Sequence, residues 1–282
     1  MKTTISKDKT TKFTFPKGHS SVLIPMGRDK LTLCLSSQIG CSMGCTFCLS
    51  GKTNFKENLP LKELKNQLES SIKHLKLKDI RTNKNTKGKT ILSNKINSIV
   101  FMGMGEPLNN LNTILKFCEH LNETYKYSFS KITISTSGII PKMKELIDYK
   151  YPIQLALSLH STKQKVRNKL MPGLKQYPIK NLIEVCHQYN KKYKQKIMIE
   201  YLMIDELTDT EKDLQNLINF KFAKHTNFNL IPLNPTQNTN HLKPSALTKL
   251  ENFKESLRAS GYKCFIRESM GQDIKAACGM LR

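Results

Sequence analysis

The sequence predicts an α/β fold in which parallel strands alternate with helices and form an open, partial barrel. Short apolar segments rich in β-branched residues recur along the chain, and segments with helical periodicity separate most of them. About six such units are present, fewer than the eight of a closed barrel. Right-handed crossovers place the carboxyl ends of all these strands at one end of the barrel, where we expect the functional site.

The elements follow one another in a regular order. Leu61, Leu64, Leu68, Ile72 and Leu75 recur at spacings of three and four, which predicts one face of a helix. Pro141 suits the first turn of another helix. Strands are predicted at 31–35, 96–102, 131–136, 153–159, 197–204, 228–233 and 262–267, and further helices at 178–194, 209–224 and 244–260.

Three regions are expected from this order. Residues 1–30 lack a clear period and are predicted as an N-terminal extension. Residues 31–235 form the barrel core, and residues 236–282 add a helix, a strand and a tail. The polar segments 79–95 and 235–243 are predicted loops.

The composition indicates a polyanionic partner. The 282 residues include 46 Lys and Arg against 22 Asp and Glu, a formal net charge of +24, and the basic residues are spread along the chain. Nucleic acid is the usual polyanion, and the charge alone fits either RNA or DNA. The alternative is that the lysines reflect a compositional bias of the genome, because Asn and Ile are also abundant.

The location follows from what the sequence lacks. No segment reaches the eighteen or so apolar residues that a membrane span requires, and the N-terminus has no apolar signal core. We therefore expect a cytoplasmic monomer with no membrane contact. Eight cysteines in such a reducing compartment indicate metal-binding or catalytic thiols rather than a framework of disulfides.

Three of the cysteines are clustered in the segment "CSMGCTFC". Cys41, Cys45 and Cys48 follow a predicted strand, and no fourth cysteine lies beside them. A structural zinc site usually takes four ligands as two pairs. Three thiolates on one loop suit a cubane iron–sulfur cluster better, with the fourth iron open to a substrate. A zinc site completed by Cys34 or by a distant cysteine remains the alternative.

The wider pattern resembles one family of the radical S-adenosylmethionine (SAM) superfamily, the ribosomal RNA adenine methyltransferases of the RlmN and Cfr types. Seven segments carry the resemblance in the family's order: "LCLSSQIGCSMGCTFC", "FMGMGEPLNN", "ISTSGIIP", "LALSLHS", "LMPG", "NLIPLNP" and "DIKAACGML". Together they span roughly residues 20–282. The resemblance implies a partial barrel, a [4Fe-4S] cluster held by Cys41, Cys45 and Cys48, and two molecules of SAM per turnover.

The resemblance also implies where SAM binds. Glycine in "GMGE" allows the backbone to approach a ligand closely, and Glu106 would take the amino group of SAM. The other implied cofactor-binding residues lie at strand ends. The implied set is Gly105, Glu106, Ser135, Ser158, Leu159, His160 and Asn234. Without the resemblance, each would be interpreted as a turn or capping residue.

Two further cysteines are catalytic by the same resemblance. Cys278 lies four residues from the end, among small residues that leave its thiol unobstructed. The implied scheme makes Cys278 the methyl acceptor, and a deoxyadenosyl radical then activates that methyl group for addition to the base. Cys34 helps to release the product, leaving a Cys34–Cys278 disulfide that must be reduced. Cys118, Cys186 and Cys264 match no motif and are interpreted as structural.

The chain departs from the family pattern in two respects. Ser20 stands where the family usually has an acidic proton acceptor, so this role is transferred to no residue. The N-terminal accessory domain of the family is also not expected here, and the high positive charge would compensate through nonspecific affinity for the RNA backbone.

The resemblance thus implies RNA rather than DNA as the partner and methylation of adenine carbon 2 in 23S ribosomal RNA, with transfer RNA as a further candidate substrate and electrons from a donor such as flavodoxin or ferredoxin. Carbon 8 methylation of the Cfr type is one alternative. A different radical enzyme, such as an activase, and a non-catalytic zinc-dependent RNA-binding protein are the others.

Overall fold

The computed structural model describes residues 1–27, 29–77, 91–194, 196–223, 225–237 and 239–282. One mixed sheet of ten strands forms the body of the protein, in the order β1-β2-β3-β4-β7-β8-β9-β10-β11-β12, and β5 pairs with β6 in a separate hairpin. The strands are β1 (Lys2–Ile5), β2 (Thr11–Thr14), β3 (Ser20–Pro25), β4 (Leu31–Cys34), β5 (Gln38–Ile39), β6 (Glu57–Asn58), β7 (Ile96–Phe101), β8 (Ile132–Thr136), β9 (Gln154–Ser158), β10 (Ile197–Met203), β11 (Thr226–Pro232) and β12 (Lys263–Ile266).

All neighbouring strands from β4 to β12 within this sheet are parallel. The two terminal strands, β1 and β12, each have a single partner, so the sheet is open, and the predicted partial barrel is confirmed. The α-helices are α1 (Leu61–His74), α2 (Ile91–Lys95), α3 (Leu111–Tyr125), α4 (Ile140–Asp148), α5 (Gln164–Leu170), α6 (Ile179–Tyr193), α7 (Glu211–Asn219) and α8 (Leu247–Ala259).

The N-terminal segment 1–30 extends the sheet, which its sequence did not predict. Strands β1, β2 and β3 form an antiparallel meander, and β3 pairs with β4. These strands are short and rich in Thr, Ser and Lys, so they lack the apolar runs by which buried parallel strands are recognised. Pairings β3–β4 and β11–β12 cross the expected boundaries at residues 30 and 235, so one sheet includes all three regions.

Other differences concern helices and loops. Helices α3 and α5 were not among the predicted elements. Within the predicted loop 79–95, residues 79–90 lie outside the described residues, and 91–95 form helix α2 instead. No helix in the described part of the chain combines the length and the apolar character needed to cross a membrane.

Two apolar clusters lie on opposite faces of the sheet. The larger cluster joins one face of the strands to the helices and includes Leu33 of β4 and Leu68 of α1. Cys34 follows Leu33, and successive side chains of a strand point to opposite faces. Cys34 therefore belongs to the smaller cluster on the inner face, together with Ala276 and Leu281 of the C-terminal tail.

Gln67 of α1 fixes the backbone where β4 leads into the site. Its side-chain Oε1 accepts a hydrogen bond from the backbone N–H of Ser36 at 2.9 Å, and its Nε2 donates to the Ser36 carbonyl at 3.1 Å. Both residues are fully buried. A single amide thus satisfies both backbone groups of a residue that has left the sheet.

Replacing Gln67 with Leu should lower the free energy of unfolding by about 2–4 kcal/mol, because two buried backbone groups lose their partners while the side-chain volume is kept. Urea denaturation measures this change. Gln215→Leu is the control, since that side chain bonds only Glu211 on the exposed face of α7 and should stay within about 0.5 kcal/mol of the parent protein. Equal effects of the two substitutions would contradict the role of Gln67.

Candidate active site

The loop that carries Cys41, Cys45 and Cys48 connects β5 to β6 and folds back on itself. Gly40 begins this loop with φ +74°, and a Cβ atom there would lie 2.1 Å from the carbonyl oxygen of Asn54. Only glycine allows so close an approach of two backbone segments. The backbone N–H of Cys48 donates to the carbonyl of Cys45 at 3.2 Å, which closes a tight turn between the last two cysteines.

The three thiols are buried, and burial disfavours their charged thiolate forms. Burial raises the pKa of Cys41 to about 12, and burial also raises the pKa values of Cys45 and Cys48. Charges on the neighbouring cysteines raise the pKa of Cys45 further. Three thiolates can therefore coexist here only with a cationic group between them.

The three sulfur atoms are not all as close together as the ligands of a single zinc ion. Tetrahedral zinc, with Zn–S bonds of about 2.3 Å, places its ligand sulfurs about 4 Å apart. Among the described residues, the one group of three whose ligand atoms all lie within 4.8 Å is Asp205, Glu206 and Asp209, not the three cysteines.

Arg167 is a buried cation beside this loop that sequence reasoning missed. It is fully buried in α5, where its Nε donates to the Leu159 carbonyl at 3.2 Å and its Nη2 to the Ser137 carbonyl at 2.5 Å. Its Nη1 has no hydrogen-bond partner among the described residues. Burial lowers the pKa of Arg167 to about 10, and the charge of Cys45 opposes this shift. The free N–H donor of this buried guanidinium, near Cys45, is suited to an anionic cluster held by the cysteine loop.

The "GMGE" loop lies at the carboxyl end of β7, as predicted. Gly105 has φ +97°, and a Cβ atom there would lie 2.4 Å from the side chain of Gln38. Gln38 in turn accepts a hydrogen bond from the backbone N–H of Glu106 at 2.7 Å. This contact holds the loop against β5, at the entrance to the cysteine loop.

Glu106 is occupied by protein donors. One carboxylate oxygen accepts from Leu108 N–H at 3.1 Å and from the Thr136 hydroxyl at 2.7 Å. The other accepts from the N–H and the hydroxyl of Ser137, at 2.8 and 2.6 Å. Burial raises the pKa of Glu106, while these four bonds favour the ionised form. Glu106 therefore ties the ends of β7 and β8 together, and its contact with the amino group of SAM stays a prediction.

The predicted residues of β8 and β9 share the inner face of the barrel. Ser135 and Ser158 are half-buried, whereas the residues that flank them on their strands are almost all buried against the helices. The side chain of Leu159 lies in the main apolar core, and its backbone N–H and carbonyl are both hydrogen-bonded within the protein, so its contact with a cofactor stays a prediction. Ser135 and Ser158 therefore present side-chain hydroxyls on the inner face of the barrel, whereas the side chain of Leu159 lies in the core.

His160 connects β9, β10 and the cysteine loop. It is buried with φ +57°, and its Nδ1 accepts from Leu202 N–H at 3.2 Å. Its ring packs edge-on against Phe47, with centroids 5.1 Å apart. Burial and the charge of Arg167 lower the pKa of His160 to about 3. The ring is therefore neutral at physiological pH.

The C-terminal tail is bound directly to the cysteine loop. Leu49 N–H donates to the Gly279 carbonyl at 2.8 Å, and the Ser50 hydroxyl donates to the Leu281 carbonyl at 2.6 Å. The side chain of Asn234 donates to the Cys278 carbonyl at 2.9 Å. Asn234 therefore contacts the tail, a contact that its prediction as a cofactor-binding residue did not include.

Cys278 lies between the cysteine loop and Cys34. Its charge raises the pKa values of both Cys48 and Cys34, which places its sulfur near each of them. Cys34 is buried, and burial raises its pKa to about 12. All eight cysteines are free thiols, so the Cys34–Cys278 pair is in its reduced form. Cys118, Cys186 and Cys264 are buried, in agreement with a structural role.

A second cation that the sequence did not reveal lies beside these two thiols. The charge of Cys278 is the main cause that raises the pKa of Arg267, and Cys34 adds to it. Arg267 also pairs with the buried Glu200, with Nη1 and Oε2 3.5 Å apart. Asn229 donates to the other oxygen of Glu200 at 3.1 Å. Neither Arg267 nor Glu200 has a distinctive sequence signal, because β10 and β12 bring them together from 67 residues apart.

Ser20 is fully buried at the start of β3. Its carbonyl accepts a hydrogen bond from the Ser36 hydroxyl at 2.5 Å, and its own hydroxyl lies 3.5 Å from that of Thr14. The neighbouring His19 faces α1, where Glu63 lies 3.7 Å away. The structure therefore places no carboxylate from this strand at the site.

Comparison with known proteins agrees with this architecture. Residues 35–218 match the family model described as "Radical SAM superfamily". The chain is 37% identical over 282 residues to the dual-specificity RNA methyltransferase RlmN of Desulfotalea psychrophila, covering 98% of this chain and 75% of the relative. It is 34% identical to the RlmN of Syntrophotalea carbinolica, covering 98% of this chain and 71% of that one.

Solved structures show the same relationship. The crystal structure of a radical SAM methyltransferase from Sphaerobacter thermophilus superposes with a TM-score of 0.87 at 30% identity, over all of this chain and 80% of that one. The structure of TYW1 with a lysine–pyruvate adduct shares the fold alone, with a TM-score of 0.57 at 14% identity. This chain belongs to the radical SAM superfamily, whose members use a [4Fe-4S] cluster and SAM, and within it to the RlmN family of RNA methyltransferases.

Proposed function

We propose that this enzyme methylates carbon 2 of an adenine in 23S ribosomal RNA through an S-methylated Cys278. The relatives are named for dual specificity, and we propose transfer RNA as the second substrate. One observation carries the proposal: the tail that bears Cys278 is hydrogen-bonded to the cysteine loop and lies over Cys34. A methyl group on this sulfur would lie next to the centre that generates the radical.

The chemistry explains why a protein thiol is needed. Carbon 2 of adenine is electron-poor and does not attack the methyl group of SAM directly. When bound, the [4Fe-4S] cluster and SAM supply an electron and a carbon radical, which side chains alone do not supply. Cys41, Cys45 and Cys48 would hold the cluster. The proposed reaction consumes two molecules of SAM, one for the methyl group and one for the radical.

Cys34 and Cys278, the two proposed catalytic thiols, differ in how deeply they are buried. Cys34 is buried and its pKa is about 12, so it stays protonated at physiological pH and does not compete for the methyl group. Cys278 is half-buried, so its sulfur is more accessible than that of Cys34, and the guanidinium of Arg267 lies near it. The thiolate of Cys278 takes the methyl group from the sulfonium of SAM, which departs as the neutral thioether.

The release step requires the second thiol. After the methylene carbon has joined the base, carbon 2 loses its own hydrogen as a proton, together with one electron that would return to the cluster. The bond between the methylene carbon and the sulfur of Cys278 must then break. Cys34 supplies the sulfur to which Cys278 binds, and its proton passes to the departing carbon, which becomes the methyl group, so the two thiols end as a disulfide. Two electrons then restore them, and we propose that reduced flavodoxin or ferredoxin supplies the electrons that the enzyme needs.

Anaerobic reconstitution with iron, sulfide and SAM should add one methyl group to the protein at Cys278, as measured by intact mass and peptide mapping. The Cys278→Ala variant should acquire no methyl group and should lose RNA methylation by at least three orders of magnitude, because the acceptor is absent. Cys264→Ala is the control, since Cys264 is buried in the main core away from the tail. Full activity of Cys278→Ala would favour a different radical enzyme.

The Cys34→Ala variant should still acquire the methyl group on Cys278 but should fail to release its product. Without the second sulfur, the base remains joined to Cys278 through the methylene carbon. Denaturing gel electrophoresis with labelled RNA should then show a covalent protein–RNA adduct that the parent protein lacks. Normal turnover by Cys34→Ala would contradict the proposed release step.

The position of the new methyl group tests the proposed regiochemistry. Ribosomal RNA that lacks the modification should yield 2-methyladenosine after incubation with the reconstituted enzyme and digestion to nucleosides. Chromatography against authentic standards, followed by mass spectrometry, separates this product from 8-methyladenosine. A carbon 8 product would overturn the proposed position while leaving the role of Cys278 intact.

A further inference from the structure

Three segments at and beside the cysteine loop carry positive charge and no acidic residue. Residues 31–56, which include the loop, contain Lys52 and Lys56 but no Asp or Glu. Residues 149–183, which include α5, contain seven Lys and Arg residues and no Asp or Glu. Residues 274–282 of the tail contain Lys275 and Arg282 and no acid either. These segments are far apart in sequence, so they form one positively charged surface only if the fold brings them together.

Hydrogen bonds between backbones do join them. Thr46 N–H donates to the Leu170 carbonyl at 2.9 Å, and Gly173 N–H donates to the Met43 carbonyl at 3.0 Å. The tail is bound to the other side of the loop through Leu49 and Gly279. The three segments therefore form one continuous surface around the cysteine loop, at the end of the barrel where the strands finish.

The lysines of this surface are free to meet an external anion. Lys52, Lys56, Lys165, Lys169 and Lys175 are all exposed. Within the part of the chain that the structure describes, none of their side chains has an ion pair or a hydrogen bond. Lysines elsewhere differ: Lys249, for example, pairs with Asp205, Glu206 and Asp209. We call these five lysines, together with Phe55, the basic rim.

Phe55 gives the basic rim an aromatic surface. Its side chain is 43% exposed, although phenylalanine is usually buried. The backbone beside it is fixed, because Asn54 and Phe55 lie against Gly40, and Lys56 N–H donates to the Ile39 carbonyl at 2.9 Å. A rigidly held, exposed ring flanked by Lys52 and Lys56 is the arrangement by which proteins stack an unpaired base while neutralising its phosphates.

We propose that the basic rim is a docking surface for single-stranded RNA, in which the lysines contact phosphates and Phe55 stacks on an unpaired base. This inference rests on the proposed function for the identity of RNA as the substrate. An enzyme that must reach carbon 2 of adenine needs the base out of a duplex stack, and an open base face is what an exposed phenylalanine can bind. A duplex would present phosphates to the lysines but no base to Phe55.

The charge test compares two pairs of lysines in the cluster-loaded enzyme. Lys169→Gln/Lys175→Gln removes two charges from the basic rim. Lys191→Gln/Lys196→Gln removes two from exposed positions at the amino end of β10, the opposite end of the barrel. Fluorescence anisotropy with a labelled single-stranded RNA, repeated across potassium chloride concentrations, gives affinity and its salt dependence. The rim variant should lower the log–log salt slope by about 1.4, and the control should leave it unchanged.

The stacking test uses three substitutions. Phe55→Leu keeps an apolar side chain but removes the ring and should weaken binding to single-stranded RNA by about fivefold or more. Phe55→Tyr keeps the ring and should restore affinity. Leu247→Ala on α8 is the control, because that side chain is 67% exposed and lies outside the basic rim, and it should have no effect. The same RNA annealed to its complement should be insensitive to Phe55→Leu.

The outcomes separate this inference from the proposed function. If both lysine pairs change the salt slope equally, or if Phe55→Leu binds like the parent protein, the basic rim is not the docking surface. A preference for the duplex would equally overturn the inference. Methylation of Cys278 is measured without RNA. If Cys278 is methylated but the rim substitutions leave RNA binding unchanged, only the basic rim is rejected. If Cys278 is not methylated but the rim substitutions change RNA binding as expected, only the proposed function is rejected.

Discussion

The site depends on the hydrogen bonds that hold the C-terminal tail against the cysteine loop. Leu49 and Ser50, which directly follow Cys48, donate to Gly279 and Leu281, on the far side of Cys278. Asn234 fixes the carbonyl of Cys278 itself. Because Ala276 and Leu281 also pack in the small apolar cluster with Cys34, the tail brings a terminal thiol to the centre of the barrel. Without these contacts, nothing would hold Cys278 near Cys34 and the cysteine loop.

Two arginines place positive charge at two separate positions of this site, Arg167 fully buried and Arg267 partly buried. Arg167 lies beside Cys45 with one unsatisfied donor, and Arg267 lies beside Cys278 and Cys34 with Glu200 as its partner. A buried arginine is costly unless an anion compensates it. Cluster thiolates at the first position and a thiolate at the second would supply that compensation. The charges of the scaffold thus match the two chemical roles that we propose for the cysteines.

Much of the fold and part of the site could be predicted from the chain alone. The seven predicted parallel strands agree with the structure to within about two residues at either end, because buried parallel strands are continuous apolar runs. The meander of residues 1–25 was missed, because its strands are short and their apolar residues are interrupted by or follow Thr, Ser and Lys. Arg167, Glu200 and Arg267 were missed as well. The sequence around a charged residue does not indicate which groups it will contact after folding.

The sequence by itself determined the local chemistry: three thiols on one glycine-containing loop, a thiol among small residues near the terminus, and a large excess of positive charge. These properties depend on residue type and short-range spacing, which the chain carries before it folds. Only the tertiary structure decided that Cys34, Cys48 and Cys278 are neighbours, that the carboxylate of Glu106 is occupied by Thr136 and Ser137, and that acid-free segments meet around the site. Such contacts join residues tens to hundreds of positions apart, and the pairing of the sheet and the docking of the tail bring them together.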